Sequence, residues 1–176
     1  LHERVRAGGL DTAVAAADAI VASLQRGGKV LVFGNGGSAA DAAHAAAELV
    51  GRFRRERRGF AAIALTADAS VLTSVANDYG FDRVFARQIE ALGQPGDIAF
   101  AITTSGESAN AVRALEAARA RQLTTIALTG RDGGPAGRLA DVHVNVPSES
   151  TPRIQEVHRT LLHVICDLVE TSLSAA

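Results

Sequence analysis

His44 and Glu48 stand four residues apart in an alanine-rich stretch, so on a helix they share one face. An imidazole beside a carboxylate can work as a general acid–base pair or as part of a metal site. The same two residues can also be plain polar positions on a helix surface. What lies upstream favours chemistry. Lys29 to Phe33 is a short apolar, β-branched and aromatic run that reads as a buried strand. Gly34-Asn35-Gly36-Gly37-Ser38 follows, and its glycines let the backbone turn sharply and present N–H groups. Ser38 and Asp41 fit an S-x-x-D capping box, which predicts a helix start. A strand, a glycine turn and a helix N-terminus make an anion site, because unpaired N–H groups and the helix dipole both favour negative charge.

A second polar turn is Thr103-Thr104-Ser105-Gly106-Glu107-Ser108. Its clustered hydroxyls offer several donors to one anion, although Ser108 can also be only an N-cap in a solvated loop. Two such turns at the carboxyl ends of strands in one open sheet favour ligand binding, since clefts form there. Near the C-terminus lie Gln155, His158 and His163. Gln155 and His163 are roughly 80° apart around a helix of 3.6 residues per turn, so they can face one cleft. His158 points well away from His163 and reads as structural or surface. The basic run Arg52 to Arg58 reads as a solvated loop, with Arg52 nearest the Glu48 helix. Gly34-x-Gly36-x-x-Ala39 formally matches a dinucleotide fingerprint, but the nearest acid after the next strand, Asp68, lies too far along and reads as an N-cap.

The elements that must position these residues alternate along the chain. Helices are expected over Asp11–Gln25 with Asp11 as N-cap, from Ser38 to Gly51, from Asp68 to about Ala76, from Asp82 to Gly93, over Ala109–Arg121, and from Thr151-Pro152 to about Ser172. Asn77 to Gly80 and Gly130 to Pro135 read as a turn and a loop. Strands are expected at 29–33, 60–66, 97–103, 123–128 and 142–146. Strand–helix alternation implies parallel βαβ units in a doubly wound α/β sheet. The 176 residues suit one domain, 1–176, with a single sizeable core. The formal charge of −1 points to neither nucleic acid nor an anionic membrane. No run is long enough to span a bilayer, and no signal peptide is visible. One cysteine, Cys166, allows no intrachain disulfide, which fits a reducing, cytoplasmic compartment. The chain opens at Leu1 without a methionine, so a missing natural start is expected.

Gly34–Ser38, Asp41-x-x-His44-x-x-x-Glu48-Leu49-x-Gly51-Arg52, Asn77-Asp78, Thr104-Ser105-Gly106-x-Ser108-Ala109-Asn110, Leu128 to Gly134 and Arg153-Ile154-Gln155-Glu156-x-His158 occur in this order. The pattern resembles the phosphoheptose isomerase family of the sugar isomerase (SIS) domain class, over nearly the whole chain from about residue 10. The resemblance implies a three-layer αβα sandwich on a parallel, flavodoxin-like, five-stranded sheet. It also implies a homotetramer with sites at subunit interfaces. Residue by residue, Ser38, Thr103, Thr104, Ser105 and Ser108 would hold phosphate and sugar. Asn35, Gly36 and Gly37 would line the sugar site, and Asn77 and Asp78 would close it, with Arg52 and Gln155 also on the substrate. Glu48 matches the family's catalytic base and His163 its catalytic acid. His44, Glu48, Gln155 and His163 match a zinc-binding set seen in some members. Ala39 replaces a bulkier polar residue found in several members, and Glu107 stands where Asn is usual.

The implied reaction converts sedoheptulose 7-phosphate to D-glycero-D-manno-heptose 7-phosphate, the first step towards nucleotide-activated heptose. Such an aldose–ketose exchange moves a proton between neighbouring carbons through an enediol, which needs a base and an acid. Two alternatives stay open. One is a non-catalytic SIS-domain regulator that binds the replication initiator DnaA; relatives of that kind lack the residues matching Glu48 and His163. The other is an isomerase of another sugar phosphate.

Overall fold

The structure, a computed structural model, describes residues 1–7 and 10–174. Five parallel strands form one sheet in the order β2-β1-β3-β4-β5: β1 (Val30–Gly34), β2 (Ala62–Ala64), β3 (Ile98–Thr103), β4 (Thr124–Gly130) and β5 (Val142–Val146). Among the described residues eight α-helices accompany them: α1 (His2–Ala7), α2 (Asp11–Gln25), α3 (Gly37–Val50), α4 (Ala69–Tyr79), α5 (Ala86–Leu92), α6 (Ala109–Ala120), α7 (Gly134–Leu139) and α8 (Thr151–Ser174). This is the expected flavodoxin-like αβα sandwich.

Both faces of the sheet are buried, and side chains alternate between them. Val32, Phe100, Ile102 and Leu128 face a layer made of α2, α3 and α8. Leu31, Phe33, Ala99, Ala101 and Ala127 face the layer of α4, α5, α6 and α7. Alanines along α2 and α3 let those helices approach the large strand residues of the first face. The alanines of β3 and β4 leave room for Phe85, Ile89 and Leu115 on the second.

The register decides where the site can be. Gly34 at the end of β1 pairs with Ile102, and Thr103 at the end of β3 pairs with Thr129. Chain order reverses between β1 and β3, so the turns after these two strands flank the switch point of the sheet, where a crevice opens.

Several boundaries differ from expectation for local reasons. The capping box does not form: Gly36, at φ 56°, occupies the N-cap of α3 with no side-chain cap, and Asp41 turns instead to Arg159. Asp11 is the first residue of α2, not its cap, and α8 begins at Thr151 itself. Asp68 does cap α4, accepting from the N–H groups of Ser70 and Val71. That helix continues through Asn77 and Asp78, which carry no breaker, and stops at Gly80 with φ 92°. The helix expected from Asp82 is split: Phe81–Arg83 is a 3-10 turn, in which Asp82 pairs with Arg113, and α5 follows from Ala86. Strand β2, at the sheet edge, is shorter than expected, and α7 starts at Gly134 inside the expected loop, with Pro135 in its first turn.

Candidate active site

Helices α3 and α8 lie against each other on one face of the sheet, and their contact is layered by residue type. Near the start of α3, buried Asp41 accepts from Arg159 Nε at 3.2 Å and Nη2 at 2.8 Å. One turn on, His44 Nε2 lies 3.2 Å from His163 Nε2. One turn further, Glu48 Oε1 lies 3.0 Å from the same His44 nitrogen. The i, i+4 spacing thus does what it predicted on α3, and α8 supplies the second imidazole. Phe53 packs its ring on His163 at 5.4 Å.

Three ligand atoms from His44, Glu48 and His163 lie within 4.8 Å of one another. Ligands about 2.0–2.2 Å from a tetrahedral ion are themselves about 3.3–3.6 Å apart, close to the spacings seen here. His44 Nε2 carries a single in-plane hydrogen or lone pair and faces two partners, so proton contacts alone leave it shared. The donor set, two imidazoles and a carboxylate, fits a divalent ion that favours nitrogen and oxygen. Gln155 lines a cleft of about 620 Å³ together with Pro152, Arg159 and His163. Its amide rests against Gly37, where any Cβ would collide with it. Glycine at 37 is therefore what lets Gln155 come up to the glycine turn.

The turn after β3 folds around its own hydroxyls. Thr103 Oγ1 lies 3.3 Å from Ser108 Oγ and accepts from Gly106 N–H. Ser105 Oγ accepts from Glu107 N–H at 3.1 Å. Ser108 sits at the N-cap of α6 without capping it, which leaves that helix end open to an anion. Glu107 is exposed. The two turns are tied together by side-chain amides: Asn35 donates to Asn110 at 2.8 Å and Asn110 returns a bond at 2.9 Å. Asn110, nearly fully buried at the start of α6, was not singled out by sequence reading; its signal was its place inside the Ser108-Ala109-Asn110 motif.

Other expected residues stand apart. Asn77 and Asp78 are exposed on α4 and bond to each other at 2.8 Å. Arg52 is exposed, with Nε 3.7 Å from Glu56. Of the basic run it is Arg57 that turns inward, donating to the carbonyl of Glu48 at 2.8 Å. Its partner Glu170 was missed; a single acid on the apolar stripe of α8, two turns beyond His163, was the available signal. Burial pushes the Glu170 carboxyl up, but N–H bonds from Arg55, Arg54 and Phe53 and the Arg57 guanidinium outweigh it and hold it below the usual carboxylate range. Cys166, close by, is pushed up to about 12 by burial, with the Glu48 charge adding to it, so the site holds no ready thiolate.

A family model described as the SIS domain matches residues 1–130. A phosphoheptose isomerase from a Roseiflexus species is 56% identical over 160 residues, 91% of this chain and 81% of that protein. The structure of phosphoheptose isomerase GmhA from Neisseria gonorrhoeae superposes with a TM-score of 0.90 at 46% identity, over 97% of this chain and 93% of that one. A phosphoheptose isomerase from Francisella tularensis gives 0.91 at 41% identity, over 97% and 91%. Alike in sequence and in fold over most of its length, the chain belongs to the phosphoheptose isomerases of the SIS-domain class.

Proposed function

We propose that this chain interconverts sedoheptulose 7-phosphate and D-glycero-D-manno-heptose 7-phosphate by enediol chemistry, with Glu48 as base and His163 as acid. The observation that carries this reading is the meeting of Glu48, His44 and His163 across α3 and α8, beside the turns that flank the switch point. Binding begins with the phosphate. The Thr103 to Ser108 turn, with Ser38 across from it, offers hydroxyls and the N-terminal N–H groups of α6 to a dianion. Asn35, Gly36 and Gly37 line the sugar, Gln155 and Arg52 bear on it, and Asn77 and Asp78 close it.

The chemistry then follows the atoms. Glu48 removes a proton from C1 of the ketose, and the electron pair forms the C1=C2 bond. The C2 oxygen takes a proton from His163, giving the enediol. Return of a proton to C2 and loss of the O1 proton leave the aldehyde at C1. His44, Glu48, Gln155 and His163 would hold zinc, which when bound supplies a Lewis acid that polarises the carbonyl or fixes sugar hydroxyls. His44 and the Phe53 ring keep the His163 imidazole in place.

Homotetrameric assembly with sites at subunit interfaces completes the reading. It is supported by the exposed apolar side chains Val50, Tyr79 and Phe81. Among the described residues no helix is long and apolar enough to cross a membrane; the cytoplasm is the proposed compartment.

The test is isotopic. Wild type in deuterated water is expected to place deuterium on the substrate carbon and to form aldoheptose. Glu48→Gln keeps size and loses the base, so turnover should drop about 10²–10⁴-fold while sugar phosphate still binds. Near-normal exchange by Glu48→Gln and His163→Gln would remove these residues from the mechanism. Zinc content of the same preparations, lowered in His44→Ala, reads the metal separately.

A further inference from the structure

We propose that Glu170 is the positioning residue that holds both members of the acid–base pair, through the basic loop that follows α3. This rests on the roles proposed above for Glu48 and His163. The Glu170 side chain is 1% exposed and points from α8 into the loop. Its Oε1 accepts from Phe53 N–H at 3.0 Å and from Arg57 Nε at 3.1 Å. Its Oε2 accepts from Arg54 N–H at 2.8 Å and Arg55 N–H at 2.9 Å. One buried carboxylate therefore fastens three consecutive backbone amides and one guanidinium.

Each end of this clamp reaches one catalytic group. Arg57, 5% exposed and laid on the Phe60 ring at 3.9 Å, caps the C-terminus of α3. Its Nη2 donates to the carbonyl of Glu48 at 2.8 Å and its Nη1 to that of Leu49 at 3.0 Å. These are carbonyls with no partner inside the helix, and one of them belongs to the base itself. At the other end the fixed Phe53 backbone sets its ring against the His163 imidazole at 5.4 Å and 35°. The distance between the end of α3 and the stretch of α8 that carries His163 is thus tied through Glu170. A misplacement of about 1 Å at such a pair is enough to cost catalysis. The basic run is not a loose solvated loop. Its arginine-rich character supplies one capping guanidinium, and the rest of its order comes from Glu170.

Glu170→Gln tests this without changing size. Whichever oxygen becomes an NH₂ group faces two donors, so the clamp opens at one end. The expected result is a kcat about 10- to 100-fold lower, with KM for sedoheptulose 7-phosphate changed less than about threefold because the phosphate turn is untouched. Phe53→Leu leaves the carboxylate clamp intact and removes only the ring; kcat is expected to fall several-fold with the thermal midpoint nearly unchanged. In the double variant the two losses should overlap, the combined fall being clearly smaller than their product. A folded Glu170→Gln with wild-type kcat overturns the proposal, and so do losses that multiply in full. If Glu170→Gln does not fold, Phe53→Leu decides, and wild-type kcat there overturns it. Glu48→Gln is run alongside: if it is dead while Glu170→Gln matches wild type, only the positioning role falls. If wild type isomerises no sugar phosphate, the function reading falls and this assignment with it.

Discussion

His158 sits five residues before His163 on α8 and does a different job. It is fully buried, its Nε2 is 2.9 Å from the carbonyl of Thr129, and its Nδ1 has no partner among the described residues. Burial lowers its pKa from 6.5, against smaller upward pulls from the Thr129 carbonyl and Asp41. The sign is that of a group that resists protonation when folded. Above about pH 6.5 both states are neutral there; below it the unfolded chain takes up a proton more readily, and stability is lost as pH falls. The thermal midpoint of wild type is expected to drop between about pH 7.5 and about pH 5, and His158→Gln should show a shallower drop. Equal slopes would place the acid sensitivity elsewhere. Glu170, held low, loses its contribution only at more acid pH, so the two effects separate along the pH axis. The same helix thus carries one imidazole for the core and one for the cleft, five residues apart.

At the scale of elements, three strand-to-helix turns press together at the carboxyl edge of the sheet. Gly106 has φ 70° and lies against the backbone of Gly133 and Gly134 at the start of α7. A Cβ there would meet a carbonyl that belongs to another turn, not a side chain that can swing aside. Gly106→Ala is therefore expected to cost about 1–3 kcal/mol, read as a lower urea midpoint, and to weaken binding of the sugar phosphate as the hydroxyl turn shifts. An unchanged midpoint would mean the turn after β4 yields freely. The sugar-facing turn after β1 is held by different means, the paired amides of Asn35 and Asn110. Glycine geometry on one side and an amide clamp on the other keep the two turns at a set separation, which a rigid anion of fixed size requires.

For the whole molecule, the question is how many copies act together. Tyr79 and Phe81 are 56% and 60% exposed in the isolated chain, beside the Asn77-Asp78 pair expected to close the sugar site. Large side chains so exposed, next to residues proposed for the substrate, fit a face that another copy covers. Sedimentation analysis is expected to give a species of four chain masses. A monomer at concentrations where the isomerase is active would overturn both the assembly and its role in closing the site.

The sheet was legible in the sequence because a doubly wound fold writes itself locally: apolar runs, glycine turns and alanine-rich helices alternate, and each βαβ unit has one favoured hand. The pairing of His44 with Glu48 was legible for the same reason, since i, i+4 neighbours meet on any helix. Cap details were less so. Ser38 and Asp41 had the right spacing for a capping box, yet Asp41 found a stronger charge-assisted partner in Arg159. What no local rule could give was which distant residues meet. His163 reaches His44 across 119 positions, and Arg57 and Phe53 reach Glu170 across 113 and 117. Those outcomes depend on how α3 and α8 pack on one face of the sheet. Side-chain periodicity fixes which face a residue takes on its own helix, and only tertiary packing decides what stands opposite.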